Sequence, residues 1–327
     1  MAERRARLTG FDRIRAQRIL KRRAPIAREL RATGAPSSVF VETPSARTVA
    51  IAVAIGAGSR HERIGERGAA HLLEHLCFRG VPGAETSAAL AQAMEGLGAN
   101  ANASTDREST IFWIHVPRDA AHEAARLLGS VVFEPLLLSE HLGVERAIVI
   151  EEIRAYADDP SEQASTALDR ALFGDTELGR EIAGRIGDIR RLTHRSVRGF
   201  HRRTYRAERS ALAIAGALSA EEARAIARSA LSPLRRGGVR SASRTVRTSL
   251  ARRRSVTTRR SAVDGVVATV RHGEQAQFAV GLPALRREDP DAPALEMLAT
   301  ILGDGSASRL FLELPEERGL VYDISAS

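Results

Sequence analysis

The chain of 327 residues contains little cysteine, lysine or aromatic side chain, and no long apolar run. Its single cysteine, Cys77, excludes an internal disulfide, so nothing requires an oxidising compartment. The longest apolar run, residues 49–58, has ten residues, about half of what a membrane-crossing helix needs. We therefore expect no membrane span. The arginine-rich N-terminus also lacks the apolar core of a secretory signal.

The formal net charge of +9 is concentrated in two arginine-rich segments. Residues 1–32 carry a net charge of +8 and residues 231–260 carry +10, which leaves −9 for the remainder. These segments contain one aromatic residue, Phe11, whereas nucleic-acid modules place stacking side chains beside basic ones. We expect no nucleic-acid partner. Residues 1–32 are interpreted as a basic N-terminal extension of a cytoplasmic protein; the alternative is a presequence for the mitochondrial matrix.

The hydropathy pattern predicts an α+β fold. A chain of this length favours two domains, and 43% hydrophobic with 27% charged residues is typical of globular proteins. We expect Ser139 to cap a long helix that ends near Ala157, and Phe278–Gly281 to form a strand. The predicted domains and linker are residues 33–232, an arginine-rich linker at 233–262, and a partial second half at 263–327, which is short for a unit that buries its own core.

The strongest functional motif is His71-Leu72-Leu73-Glu74-His75. On a helix, His71 and His75 lie one turn apart on the same face, which suits two nitrogen ligands of one tetrahedral zinc ion. Glu74 is placed to accept a proton from a water molecule activated by that ion. A shuffled sequence of this composition contains about 0.02 such patterns. The motif therefore predicts one Zn²⁺ per chain; the alternative is two surface histidines on an amphipathic helix.

A zinc hydrolase needs a third protein ligand and leaves one position for water. The predicted helix after Ser139 offers several carboxylates: Glu140, Glu145, Glu151 and Glu152. Glu145 and Glu152 are seven residues apart and share a helical face, whereas Glu151 points about 100° away from Glu152. An acidic pair along a partly apolar face is unfavourable unless a positive group lies opposite it. Glu151 and Glu152 both remain candidates at this point.

The stretch from His71 to Gly80 resembles the zinc helix of the pitrilysin/insulinase family of inverted-motif (HxxEH) zinc peptidases, which includes mitochondrial processing peptidase and its bacterial relatives. The stretch from Glu145 to Ile153 is similar to that family's distal glutamate helix. The resemblance implies Glu152 as the third ligand and Glu145 as a carboxylate supporting the site. It also implies two related halves in a clamshell-like arrangement, each an antiparallel sheet with helices packed on it, with the second half truncated.

Residues 102–110 are similar to the family's edge strand, which pairs with an extended peptide substrate. The similarity implies that Asn102, Ala103 and Ser104 bind substrate. In the second half, Tyr322 matches the tyrosine of the family's Arg-x6-Tyr substrate clamp. Pro315 stands where the arginine is expected, and proline offers neither a charge nor an N–H.

The implied activity is zinc-dependent cleavage of extended peptides, with water activated by zinc and Glu74. The departure at Pro315 predicts a homologous partner subunit that supplies the Arg/Tyr clamp, or a homodimer. One alternative is a catalytically weak or idle subunit of a heteromeric peptidase or structural complex. Another is a zinc-independent binding module recruited through the arginine-rich linker.

Overall fold

The computed structural model describes residues 27–30, 36–236 and 275–327. The chain divides into two compact units, residues 1–278 and residues 279–327. The predicted N-terminal extension and the linker lie almost entirely outside the described residues. Within the described ranges, no helix combines the length and the apolar character needed to cross a membrane.

The first unit combines a β-sheet with helices. Its strands are β1 (Ala27–Glu29), β2 (Ser37–Glu42), β3 (Thr48–Ile55), β4 (Asn100–Thr105), β5 (Thr110–Pro117) and β6 (Ser210–Gly216). Its helices are α1 (Ala69–Cys77), α2 (Ser87–Gly96), α3 (Ala121–Phe133), α4 (His141–Asp158), α5 (Pro160–Phe173), α6 (Ile186–Arg191), α7 (His194–Thr204), α8 (Ala220–Ala230) and α9 (Ser232–Arg236).

The strands form a mixed sheet in the order β1-β2-β6-β3-β5-β4. The predicted α+β class is confirmed. Among the described strands, β2 and β6 run parallel and the other pairs are antiparallel. The parallel pair arises because β6 inserts between β2 and β3, which run in opposite directions. A strand antiparallel to β3 is necessarily parallel to β2.

Strand β3 shows how the sheet builds the core. Val49, Ile51, Val53 and Ile55 alternate along it and are fully buried beneath the helices, while the alanines between them face the other side. Helices α3 and α8 pack closely on this side: a Cβ added at Gly129 of α3 would lie 2.1 Å from the carbonyl oxygen of Ala230 in α8. The helical glycine therefore sets the distance between the two helices.

Helix α4 begins at His141, one residue later than a cap at Ser139 predicts. Its N-cap is Glu140 and not Ser139, and the side chain of Glu140 makes no capping hydrogen bond. The helix still contains three of the candidate carboxylates, Glu145, Glu151 and Glu152, whereas Glu140 precedes it. At its C-terminal end, Asp159 accepts the backbone N–H of Ser161 and opens α5.

The second unit contains α10 (Ala292–Gly303) and α11 (Arg309–Phe311), which continues as a π-helical segment, Leu312–Glu317. The strand predicted at Phe278–Gly281 is wrong, since these residues adopt no regular structure. A strand needs a partner for its backbone groups, and no strand occurs among the described residues from 275 to 327.

Candidate active site

Helix α1 starts at a sharply defined point. Gly68 precedes it with φ = +83°, and a Cβ there would lie 2.6 Å from the carbonyl oxygen of Ala183, so the position favours glycine. The carboxylate of Glu62 accepts hydrogen bonds from the backbone N–H groups of Gly68 (3.0 Å) and Ala70 (2.9 Å). Burial raises the pKa of Glu62 to about 8, against the lowering effect of these two N–H groups. Glu62 thus ties the start of α1 to the preceding loop.

Helix α1 presents two chemically different faces. Its apolar face is fully buried and includes Leu72, Leu73 and Cys77. Cys77 is thus a small buried hydrophobic residue. The half-buried side chains on the opposite side are those of the motif: His71, Glu74 and His75. The sequence folds this way because the buried residues recur at helical spacing and leave the motif on the outer face.

The two histidines meet a carboxylate from α4. The Nε2 atom of His71 lies 2.9 Å from Oε2 of Glu152, and Nε2 of His75 lies 3.6 Å from the same oxygen. One potential ligand atom from each residue lies within 4.8 Å of the others. Ligands at about 2.0–2.1 Å from a tetrahedral zinc ion are separated by roughly 3.4 Å. The donor set and its spacing therefore fit Zn²⁺.

The competing carboxylate, Glu151, faces elsewhere. Its side chain is 68% exposed and pairs with Arg154 at 2.5 Å on its own helix. Glu152 is 32% exposed and faces both histidines. The helical-face argument thus predicts the observed geometry, in which Glu152 and Glu145 point toward α1.

Glu145 is the most deeply buried carboxylate of the site, with a side chain only 2% exposed. One of its oxygens accepts a hydrogen bond from Nδ1 of His75 at 3.0 Å, and the other accepts from the guanidinium of Arg79. Burial alone would raise the pKa of Glu145, but the hydrogen bond from His75 and the charge of Arg79 outweigh it and lower this pKa. The bond to Nδ1 leaves Nε2 of His75 facing Glu152.

The same contacts act on the imidazole. Burial would lower the pKa of His75, but the hydrogen bond to Glu145 and the negative charges of Glu152 and Glu145 outweigh it. The pKa of His75 is consequently raised above its ordinary value. The site is therefore strongly anionic around this histidine, which favours a bound cation.

The predicted substrate strand, β4, lies at the edge of the sheet in the described residues and pairs with β5 on one side. Asn102 and Ser104 are exposed, and Ala103, opposite Phe112, is half-buried. At the end of β4, the hydroxyl of Thr105 donates a hydrogen bond to Oε2 of Glu74. The edge strand and the motif glutamate are therefore joined directly.

Sequence reasoning missed two of these residues, Arg79 and Thr105. The need for a positive group beside a buried carboxylate was a signal for Arg79, which lies one helical turn after His75. No local pattern indicated that Thr105 would meet Glu74. Tyr322, the remaining predicted site residue, belongs to the second unit and is 95% exposed.

Comparison with known proteins identifies related sequences. An uncharacterized zinc protease of Mycobacterium leprae is 34% identical to this chain, over 86% of this chain and 61% of its own length. A probable mitochondrial-processing peptidase subunit beta of Arabidopsis thaliana is 29% identical, over 85% of this chain and 51% of its own length. The chain thus spans between half and two thirds of these relatives.

The fold is also shared with a solved structure. The crystal structure of a peptidase M16 inactive domain from Pseudomonas fluorescens superposes with a TM-score of 0.72 and 22% identity, covering 92% of this chain and 70% of that one. Two family profiles match the sequence: the one described as Insulinase (Peptidase family M16) matches residues 38–185, and the one described as Peptidase M16 inactive domain matches residues 191–327. Because two successive profiles of one family account for nearly all residues from 38 to 327, this chain belongs to the insulinase family of peptidases, family M16.

Proposed function

We propose that this chain carries the catalytic zinc site of an endopeptidase that cleaves extended peptides. The observation that carries the proposal is the convergence of His71, His75 and Glu152 beside Glu74, which is itself bonded to the edge strand. The zinc-protease names of its relatives support the same activity. The Nε2 atoms of both histidines face one oxygen of Glu152, an arrangement that a bound cation would stabilise.

His71, His75 and Glu152 would hold the ion. When bound, zinc supplies a Lewis acid that polarises the scissile carbonyl and makes the attacking water more acidic. Glu74 accepts the proton from that water and passes it to the departing amine. The hydroxyl of Thr105 occupies Oε2 of Glu74, so Oε1 remains available for this proton. Glu145 holds the imidazole of His75 through Nδ1 and so fixes its orientation.

The edge strand β4 suits an extended peptide. An unpaired strand edge presents N–H and C=O groups to which a peptide can add as a further strand. Such recognition reads the main chain, while exposed Asn102 and Ser104 contact the peptide's side chains. Peptides added beside β4 would pass near Glu74, because Thr105 is the last residue of the strand.

We further propose that full activity depends on a homologous partner that supplies the missing clamp arginine. Pro315 lies within the π-helical segment, and the nearby Arg318 pairs with Glu313 at 2.7 Å. Pro315, seven residues before Tyr322, has no guanidinium, and the guanidinium of Arg318, four residues before Tyr322, is already paired. The Arabidopsis relative is named as a subunit, in keeping with a multi-subunit enzyme. The cytoplasmic location expected from the sequence stays a prediction.

The test compares Glu74→Gln with the wild-type chain, alone and with a candidate partner carrying Arg-x6-Tyr. Glu74→Gln should keep its zinc and lose roughly 10²–10⁴-fold in peptide turnover, because an amide cannot accept the proton. Zinc content and cleavage of a quenched fluorescent peptide are measured on the same samples. Wild-type turnover by a zinc-loaded Glu74→Gln chain would contradict the mechanism. Zinc binding without turnover, with or without a partner, would favour the idle-subunit alternative.

A further inference from the structure

A second feature of the first unit lies outside the zinc site. Helix α7 and the loop before α1 border an open surface cavity of about 620 Å³. Five arginines and one glutamate line this cavity, which we call the basic groove: Arg63, Arg195, Arg202, Arg203, Arg206 and Glu66. The rest of its lining is small, and it contains no aromatic side chain. Volumes of about 300–1,000 Å³ are typical of ligand-binding clefts.

The charges in the basic groove are unbalanced. Arg203 binds Glu66 through both terminal nitrogens, at 3.1 and 2.6 Å. Among the described residues, no carboxylate forms an ion pair with the side chains of Arg63, Arg195, Arg202 or Arg206. Four uncompensated guanidinium groups therefore surround one cavity. The chain outside the two arginine-rich segments carries a net charge of −9. The basic groove is therefore a local cluster of positive charge in a part of the chain that is acidic on balance.

Two of these four side chains belong to α7. Arg195 and Arg202 are seven residues apart and share one helical face, opposite the buried Val197 and Phe200. A reciprocal capping box between Thr193 and Ser196 already occupies the backbone N–H groups of these two residues. The guanidinium groups are therefore the charged donors that an anion in the groove would meet.

We propose that the basic groove binds a carboxylate-rich segment of a polypeptide. Guanidinium groups match carboxylates with two parallel hydrogen bonds, and the Arg203–Glu66 pair shows this geometry inside the groove itself. A single-stranded nucleic acid would instead need stacking surfaces, which the lining lacks. The proposal stands independently of peptidase activity, since it concerns binding alone.

The test measures binding of fluorescein-labelled hexaglutamate to the full chain by fluorescence anisotropy at low salt. Arg195→Glu/Arg202→Glu should weaken binding at least about tenfold, because both sides of each contact become negative. Arg224→Glu/Arg228→Glu is the matched control: both arginines are exposed on α8, outside the groove, and the net charge changes equally. The control should stay within about threefold of wild type.

A second measurement locates the peptide without any substitution. Phenylglyoxal modifies accessible arginines, and mass spectrometry then reports which of them hexaglutamate protects. Protection of Arg195 and Arg202, with none at Arg224 and Arg228, supports the proposal. Protection confined to the arginine-rich segments, equal weakening in both double variants, or preferential protection by an oligonucleotide would overturn it.

Discussion

Replacement of Glu145 should weaken zinc binding although this residue is not among the three proposed ligands. Its buried carboxylate joins Nδ1 of His75 to the guanidinium of Arg79. Loss of a group that orients a histidine ligand typically reduces metal affinity 10- to 100-fold, which corresponds to about 1.4–2.7 kcal/mol. The side chain of Glu145 is 2% exposed, so bulk water does not compete for its two contacts in the wild-type protein.

Two substitutions separate the contributions. Glu145→Gln keeps an oxygen that can accept from either His75 or Arg79, so we expect a loss near tenfold. Glu145→Ala removes both contacts and leaves the half-buried guanidinium of Arg79 unpaired, so we expect a loss near 100-fold. The alanine variant should also unfold more easily by about 3–5 kcal/mol, as when one partner of a buried ion pair is removed.

The assay is competition for Zn²⁺ against a chromophoric chelator, at a temperature where circular dichroism shows each variant folded. Glu151→Gln is the matched control, because Glu151 lies on the same helix, is 68% exposed and pairs only with Arg154 in the described residues. Wild-type zinc affinity in folded Glu145→Gln and Glu145→Ala would refute the reasoning. An equal loss in the control would attribute the effect to charge on α4 in general.

Three further predictions test other contacts. Thr105→Val should lower kcat about 10- to 100-fold with zinc affinity unchanged, since it removes only the hydrogen bond to Glu74; a parallel loss of zinc in metal analysis would contradict this. Burial raises the pKa of Glu62 to about 8, so the folded protein keeps a proton there that the unfolded chain releases above pH 4.5. The free energy of unfolding of the wild type should therefore fall by up to about 5 kcal/mol between about pH 4.5 and 8. Glu62→Gln should abolish this decrease, which urea unfolding at several pH values measures. Gly129→Ala should destabilise by about 1–3 kcal/mol through overpacking, whereas Gly143→Ala, with open space at its Cβ, should stabilise by about 0.5–1 kcal/mol; the same sign for both would contradict the packing argument.

Local periodicity was enough to place the candidate ligands on common helical faces. The i, i+4 spacing of His71 and His75 and the seven-residue spacing of Glu145 and Glu152 each place two side chains on one helical face. Such spacings survive folding because hydrogen bonds within the helix determine them. The same argument separates Glu152 from Glu151, since adjacent residues on a helix point about 100° apart.

Helix caps and isolated strands were less predictable. The side chains of Thr193 and Ser219 cap α7 and α8, but the predicted cap Ser139 is replaced by Glu140 at the start of α4. Which residue caps a helix depends on the path of the preceding loop, and tertiary packing determines that path. The strand predicted at Phe278–Gly281 fails for a related reason, because β-propensity is realised only when a partner strand satisfies the backbone.

The sequence by itself therefore determined the α+β class, the zinc motif on one face of α1 and the carboxylates on one face of α4. Only the tertiary structure decided which distant groups meet: Arg79 with Glu145, Thr105 with Glu74, and the loop before α1 with the arginines of α7. The tertiary structure also decided that β6 inserts between β2 and β3. Spacing along one element follows from its own hydrogen bonds, whereas contacts between elements depend on packing that no local pattern encodes.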